Sequence, residues 1–226
     1  MTETIATTVD ALLAELGTMT DAKMQAVNER HGDDHTVNLT KLRGVAKRVG
    51  ANQELAHALW ATGDTDARLL ALLVCRPKAF SEDELDTMMR EGRRPKIQDW
   101  LISYVVKKSP HVEALRTAWF EDADPWIAAA GWALTADRVA KRPDGLDKDA
   151  LLDQVEREMK GAPSRLQWEM NSTLAQIGIT DAPRRPRALD IGERLEVLKD
   201  YPTPPNCTSP YAPLWIAEMV RRQQGA

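Results

Sequence analysis

Cysteine is almost absent: Cys75 and Cys207 are the two thiols in 226 residues. Two thiols support neither a multi-bridge framework nor a four-cysteine metal site, and they fit a reducing compartment. Long apolar runs are missing too. The longest, Leu69 to Val74, is too short to cross a bilayer, so no membrane partner is expected. The opening "MTETIATTVDALLAELG" has no basic stretch followed by an apolar one, which argues against a secretory signal and for a cytoplasmic location. No Asn-Gly or Asp-Gly turn joins alternating Val/Ile/Thr runs, so sheet architectures are disfavoured. A glycine-rich phosphate loop and a Gly-x-Ser-x-Gly elbow are both lacking. Positive charge is not in excess either. Thirty Lys and Arg stand against 34 Asp and Glu, a net charge of −4, which excludes a globally basic nucleic-acid binder but not a local basic surface.

Helix punctuation is dense. Ser81 lies three residues before Glu84, a capping box. Asp124-Pro125 reads as an N-cap followed by a first helical residue. Asp147 caps the next helix, which Gly161 and Pro163 stop, and Ser164 starts another. The pattern predicts helices near 8–16, 20–30, 39–48, 51–61, 65–75, 82–91, 96–108, 111–121, 125–140, 148–160, 164–177, 187–199 and 212–223. Most connections are two to eight residues, as between packed helices. A degenerate echo links "AHALWATGDTDARLLALLV" with "LRTAWFEDADPWIAAAGWAL": a helix ends at Trp60 or Trp119, a short acidic loop follows, and Asp66 or Asp124 leads an Ala/Leu-rich helix. Recurring helix pairs suggest an all-α, HEAT-like superhelix, a curved solenoid of helix pairs, with a compact bundle as the alternative. The whole chain, 1–226, reads as one helical-repeat domain. Residues 200–226 form a strap with five prolines from Pro202 to Pro213 and then a capping helix. Tyr211, Leu214 and Trp215 supply area to bury.

Charge is segregated. Between Arg90 and Arg116, seven cations (Arg90, Arg93, Arg94, Lys96, Lys107, Lys108, Arg116) face three acids (Glu91, Asp99, Glu113). Such a stretch either decorates helix faces or makes a positive surface on an acidic protein. Trp60, Trp119, Trp126, Trp132 and Trp215 read as packing between helix pairs. His31, Asp33, Asp34 and His35 cluster in a loop without a distant third ligand, so no metal or cofactor is expected. Cys207 reads as an inert buried residue.

Three segments carry a resemblance: "NLTKLRGVAKRVGANQELAHALWATGDTDARLLALLVCRPK", "DWLISYVVKKSPHVEALRTAWFEDADPWIAAAGWALTADRVAK" and "CTSPYAPLWIAEMVRRQ". The chain resembles the AlkD-like family of DNA alkylation-repair proteins through Leu42, Arg43, Ala46 and Lys47, then Leu59, Trp60, Thr62, Asp66, Arg68, Leu69, Leu70 and Ala71. The resemblance runs from about Asn38 to Ile179. It implies HEAT-like helices, a basic concave face for duplex DNA, contacts to phosphates without base reading, and, in active members, N-glycosylase release of alkylated purines. Active members carry an Asp four residues after a Trp. Here Trp100 matches the Trp, but the fourth residue on is Tyr104, whose phenol is neutral at physiological pH. Asp99 is the nearest carboxylate, about 100° away around the helix. The family's Trp-x-x-Arg phosphate contact also fails, since Ile127, Ala128 and Ala129 follow Trp126.

The candidate catalytic residues are therefore Asp99, Trp100 and Tyr104. The candidate DNA contacts are Arg93, Arg94, Lys96, Lys107, Lys108, Arg116 and Trp168, on a monomer holding duplex DNA without sequence preference. Each has a plainer reading: Trp100 and Tyr104 as core, Asp99 as a carboxylate at a helix N-terminus, Lys107 and Lys108 as complements of a helix C-terminus. Three functions stay open: a DNA-repair scaffold, an alkylpurine glycosylase with a rearranged site, and a non-DNA protein-interaction solenoid.

Overall fold

A computed structural model describes residues 2–225. The chain divides into two compact units, residues 1–113 and 114–226. The first holds α1 (Thr2–Thr18), α2 (Ala22–Arg30), α3 (Leu39–Val49), α4 (Gln53–Ala61), α5 (Thr65–Val74), α6 (Glu82–Glu91) and α7 (Pro95–Trp100). Helix α8 (Val112–Phe120) spans the boundary. The second unit holds α9 (Pro125–Lys141), α10 (Lys148–Glu158), α11 (Ser164–Thr180), α12 (Arg185–Leu195) and α13 (Ala212–Gln224). Among the described residues the β pairing is one isolated bridge, Thr20 with Val37. The all-α expectation holds.

The caps explain the boundaries. The Asp21, Asn38 and Asn52 side chains accept from backbone amides at the starts of α2, α3 and α4. Ser81 and Glu84 form the full capping box of α6. Asp124 accepts from the Trp126 amide with Pro125 beside it, and Asp147 accepts from Ala150. Such a cap contributes about 1 kcal/mol. One expected leader does something else. Asp64 caps α5, whereas Asp66 is buried and accepts from the Thr36 amide (2.9 Å), the Thr36 hydroxyl (2.8 Å) and the Val37 amide (3.1 Å). It ties the 31–38 loop to α5.

Helix α5 is the apolar centre of the first unit, burying Ala67, Leu69, Leu70, Ala71, Leu72 and Val74 against α3, α4 and α7. In the second unit α9 lies along α11, with α12 and α13 on the other flanks of α11. Gly131 makes α8 and α9 meet closely, since a Cβ there would stand 2.5 Å from the Phe120 amide nitrogen. Trp60, Trp119 and Trp132 are buried, as expected for packing residues, while Trp126 and Trp215 are half-buried.

Four local expectations need correction. The 96–108 helix is α-helical only to Trp100; it widens into a π turn over Leu101–Val105 and tightens into a 3-10 turn over Val106–Lys108. Helix α12 stops at Leu195, not 199, because Glu196 and Leu198 take left-handed backbone (φ 56° and 60°). Cys207 is exposed rather than buried. Leu214 is also exposed, so α13 docks through Ile216, with Trp215 and Met219 partly covered. The strap itself is held where Asn171 donates to the Pro210 carbonyl (2.8 Å) and Tyr201 meets Trp168.

Candidate nucleic-acid interface

The segment after Pro95 is anchored by its apolar side. Ile97, Leu101, Ile102, Val105 and Val106 are all buried. The other side carries Trp100, Tyr104 and Lys108, at the spacing of successive helical turns. The Trp100 and Tyr104 rings meet edge to face, with centroids 5.2 Å apart and planes at 73°. Trp100 is buried and Tyr104 half-buried. The π turn starts directly after Trp100 and contains Tyr104, a distortion that recurs at functional sites.

Two cations cover these rings. The Arg43 guanidinium lies 4.8 Å over the Trp100 ring and donates through Nη2 to the Tyr104 hydroxyl at 3.1 Å. The Lys108 ammonium sits 5.6 Å from the Tyr104 ring centre. Aromatic quadrupoles attract both groups without neutralising them. Helix α3 presents Arg43 because Leu42 and Val45 turn into the core. Lys47 follows Arg43 one turn later and is exposed. Among the described residues, no carboxylate pairs with Arg43, Lys47 or Lys108. A guanidinium has five N–H donors. Arg43 commits two, to Tyr104 and, at 3.4 Å, to the Leu39 carbonyl, and the rest can meet a planar oxyanion.

The other expected residues sit differently. Arg94 donates to Asp34 at 2.8 Å. With Arg93, Arg68 and Glu91 it lines a separate polar pocket of about 260 Å³. The Lys96 amide donates to Asp33 at 2.8 Å. Asp99 is exposed while Trp100 beside it is buried, so the two side chains look to different sides. Lys107 is half-buried in the 3-10 turn. Arg116 and Trp168 belong to the second unit. There Arg116 reaches Thr135 (3.3 Å) and Thr117 (3.4 Å), and Trp168 meets Tyr201 edge-on at 5.1 Å. The structure thus brings together Trp100, Tyr104 and Lys108 and adds Arg43. That residue was visible in the Leu-Arg-x-x-Ala-Lys pattern, but no local signal ties it to a ring 57 residues away in sequence (100 − 43).

No group of three or more metal-ligating side chains gathers among the described residues. In the 31–35 loop, Asp33 and Asp34 are occupied by Lys96, Arg94 and Thr65. His35 is buried and bonded to Asn28; burial lowers its pKa, which favours the neutral ring. Cys75 is buried and its pKa is pushed up to about 11, so the thiol is inert at neutral pH.

A family profile described as "DNA alkylation repair enzyme" matches residues 12–216. A solved structure aligns with a TM-score of 0.76 and 22% sequence identity, covering 95% of this chain and 94% of the other. That protein is described as one of "a new family of proteins related to the HEAT-like repeat DNA glycosylases with affinity for branched DNA structures". Among curated proteins no relative matches. The likeness places the helices in a HEAT-like repeat fold and removes the compact bundle as an alternative.

Proposed function

The chain belongs to the DNA alkylation repair enzyme family, and from that premise we propose that it is a DNA-repair protein that holds duplex or branched DNA by its phosphates and does not excise bases. One observation supports this reading: Tyr104, where the resemblance implies a catalytic carboxylate in active members, has Arg43 on its hydroxyl and Lys108 over its ring. Excision of an alkylated purine needs an anion beside the developing oxocarbenium. A guanidinium and an ammonium there oppose that charge and suit a phosphate instead. Of the basic face anticipated from the sequence, this reading keeps Lys108 at its centre and adds Arg43 and Lys47. Phosphate contact positions a duplex without reading its sequence, so the binding is sequence-nonspecific. Affinity for branched DNA, described for the structurally similar protein, is the natural second substrate to try.

The test is fluorescence anisotropy with a labelled duplex and a labelled four-way junction at several salt concentrations, alongside base release from methylated DNA. The expected result is a log affinity that falls linearly with log salt, with a slope near −0.9 per phosphate neutralised, and no released base. Release of methylated purine overturns the non-catalytic part. Absence of binding at low salt overturns the whole and leaves the protein-interaction reading.

A further inference from the structure

Helix α3 carries Lys41, Arg43, Lys47 and Arg48 and no acid along its whole length, Leu39–Val49. Leu42 and Val45 turn one side of it into the core. The opposite side is centred on Gly44, about 160° around the helix from Leu42. Gly44 is exposed, and so are Thr40, Lys41, Arg43, Lys47 and Arg48 around it. Lys41 and Lys47 lie about one turn to either side of Gly44, and Arg43 adjoins it. Arg48 is spent on Glu15. Among the described residues no carboxylate pairs with Lys41, Arg43 or Lys47.

Nothing inside the molecule calls for a glycine at this position. Glycine weakens a helix interior relative to alanine. Other helical glycines are explained by what they touch. A Cβ on Gly131 would stand 2.5 Å from the Phe120 amide nitrogen, one on Gly178 would run into the Ile216 side chain, and one on Gly192 would stand 2.8 Å from Pro213 Cδ. A Cβ on Gly44 would meet nothing within 4 Å among the described residues, and its backbone is not left-handed. Gly17, equally open, is the penultimate residue of α1, where helices fray. A missing side chain on a solvent face gives room to something outside. Cα atoms lie about 2.3 Å from a helix axis, whereas side chains extend the cylinder to about 5–6 Å, so a partner comes about 3 Å nearer at the bare patch. Lys41 and Lys47, about 9 Å apart along the axis, bracket it. That combination suits an anionic strand. An apolar partner would strip water from the ammonium groups without replacing it, and a cationic one would be repelled.

Resting on the DNA reading above, we propose that one strand of the bound DNA crosses α3 at Gly44. Its sugar–phosphate chain lies against the bare helix backbone there, and its phosphates are reached by Lys41 on one side and Lys47 on the other, with Arg43 beside them. Gly44 is a positioning residue: it contributes room, not charge, and the helix is less stable for it.

The experiment compares the full chain with its Gly44→Ala and Gly44→Leu variants by thermal unfolding and by anisotropy with a labelled duplex. Alanine and leucine are both better helix formers than glycine, so each variant should melt about 1–4 °C higher than the parent. DNA affinity should fall about threefold for alanine and at least tenfold for leucine, on the steric ground that each fills the patch. The opposite signs are the signature. Neither substitution changes charge, so a surface acting through charge alone keeps its affinity, and a glycine required by the fold gives a lower midpoint. Lys41→Ala should weaken binding and reduce the salt slope by about 0.9. Binding by Gly44→Leu within twofold of a parent that binds would overturn the crossing at Gly44 and leave the DNA reading standing. A lower midpoint for Gly44→Ala would assign the glycine to the fold and overturn the crossing as well. A parent that binds no DNA at low salt fails the DNA reading first, and the crossing with it.

Discussion

Two basic regions of the molecule carry similar charge and use it in opposite ways. On α3 and the turns after α7, Arg43, Lys47 and Lys108 meet aromatic rings or solvent and, among the described residues, no carboxylate. On α12 and at its N-cap, the arginines that reach α10 are spent on acids. Arg184 bonds Asp149 (2.6 Å) and Asp181 (3.2 Å). Arg187 bonds Asp153 and Glu156 (3.3 Å), and Arg194 bonds Glu156 (2.5 Å) and Asp190 (2.9 Å). Farther along, Arg221 and Arg222 share Glu218. A phosphate approaching the second region must first displace a carboxylate; one approaching the first replaces only water. Counting cations along a sequence does not distinguish the two, because availability is set by pairing.

The largest expected effect breaks this comparison directly. Replacing Arg43, Lys47 and Lys108 together by alanine should lower DNA affinity about a hundredfold near physiological salt and flatten the salt slope by about 0.9 for each phosphate no longer neutralised. The matching triple at Arg184, Arg187 and Arg194 should leave affinity within about twofold. If anisotropy titrations give the reverse, paired arginines are the DNA contacts and the distinction fails. Tyr104→Asp sharpens the same point with a smaller change. A carboxylate in reach of Arg43 converts a free cation into a paired one, so affinity should drop about threefold to tenfold, whereas Tyr104→Phe, which removes only the hydroxyl, should stay close to the parent.

Stability should move the other way. Asp181 is buried and accepts from Lys148 (2.7 Å) and from the Arg184 amide (3.2 Å). Asp181→Ala strands both donors and should cost about 2 kcal/mol, read as a fall of about 4–8 °C in thermal midpoint. DNA affinity should not change. Arg43→Ala, which removes an exposed side chain tied to one phenol, should shift the midpoint far less.

The same division explains what the sequence discloses. Helices are legible because their signals are local. Ser81 with Glu84, Asp124 with Pro125 and Asp147 each mark a start within one turn, and the structure uses all three. The π turn is not legible, since its cause is tertiary: Leu101, Ile102, Val105 and Val106 all have to be buried at once. Asp66 looks like a helix leader until its partners, Thr36 and Val37, are found about thirty residues upstream. At the candidate site, the Trp100–Tyr104 pair follows from helical spacing, and so does its separation from Asp99. Arg43 does not, and neither does the pairing of Arg94 with Asp34 across 60 residues. Sequence shows which charges exist; only the fold shows which are already answered.

The smallest expected effect separates the regions by pH. In the second unit, hydrogen bonds from Arg184, from Arg194 and from Lys148 hold Asp149, Glu156 and Asp181 below the usual carboxylate range. Arg221 with Arg222 holds Glu218 at about 2. For such groups the unfolded chain binds more protons than the folded one once pH drops below the ordinary carboxylate pKa. Their contribution is complete above about pH 4 and disappears as pH falls toward the folded values. In the first unit the acid window opens earlier. Burial lowers the pKa of His35 despite the opposing pull of Asp33, Asp66 and Asp34, with Lys96 acting in the same direction as burial. The folded ring therefore stays neutral where the unfolded one begins to protonate, near pH 6.5, and stability declines from there downward. Glu84, held low by its capping box, adds to the loss only in the more acid range. Hydrogen exchange corrected for intrinsic rates should show amides around residues 31–38 losing protection between pH 7 and 5, while those of α10 and α12 hold until about pH 4. His35→Gln keeps a polar side chain but does not titrate, so it should remove the first step and leave the second. If both units lose protection together in the parent, the two regions open as one cooperative body and the carboxylate network does not act separately.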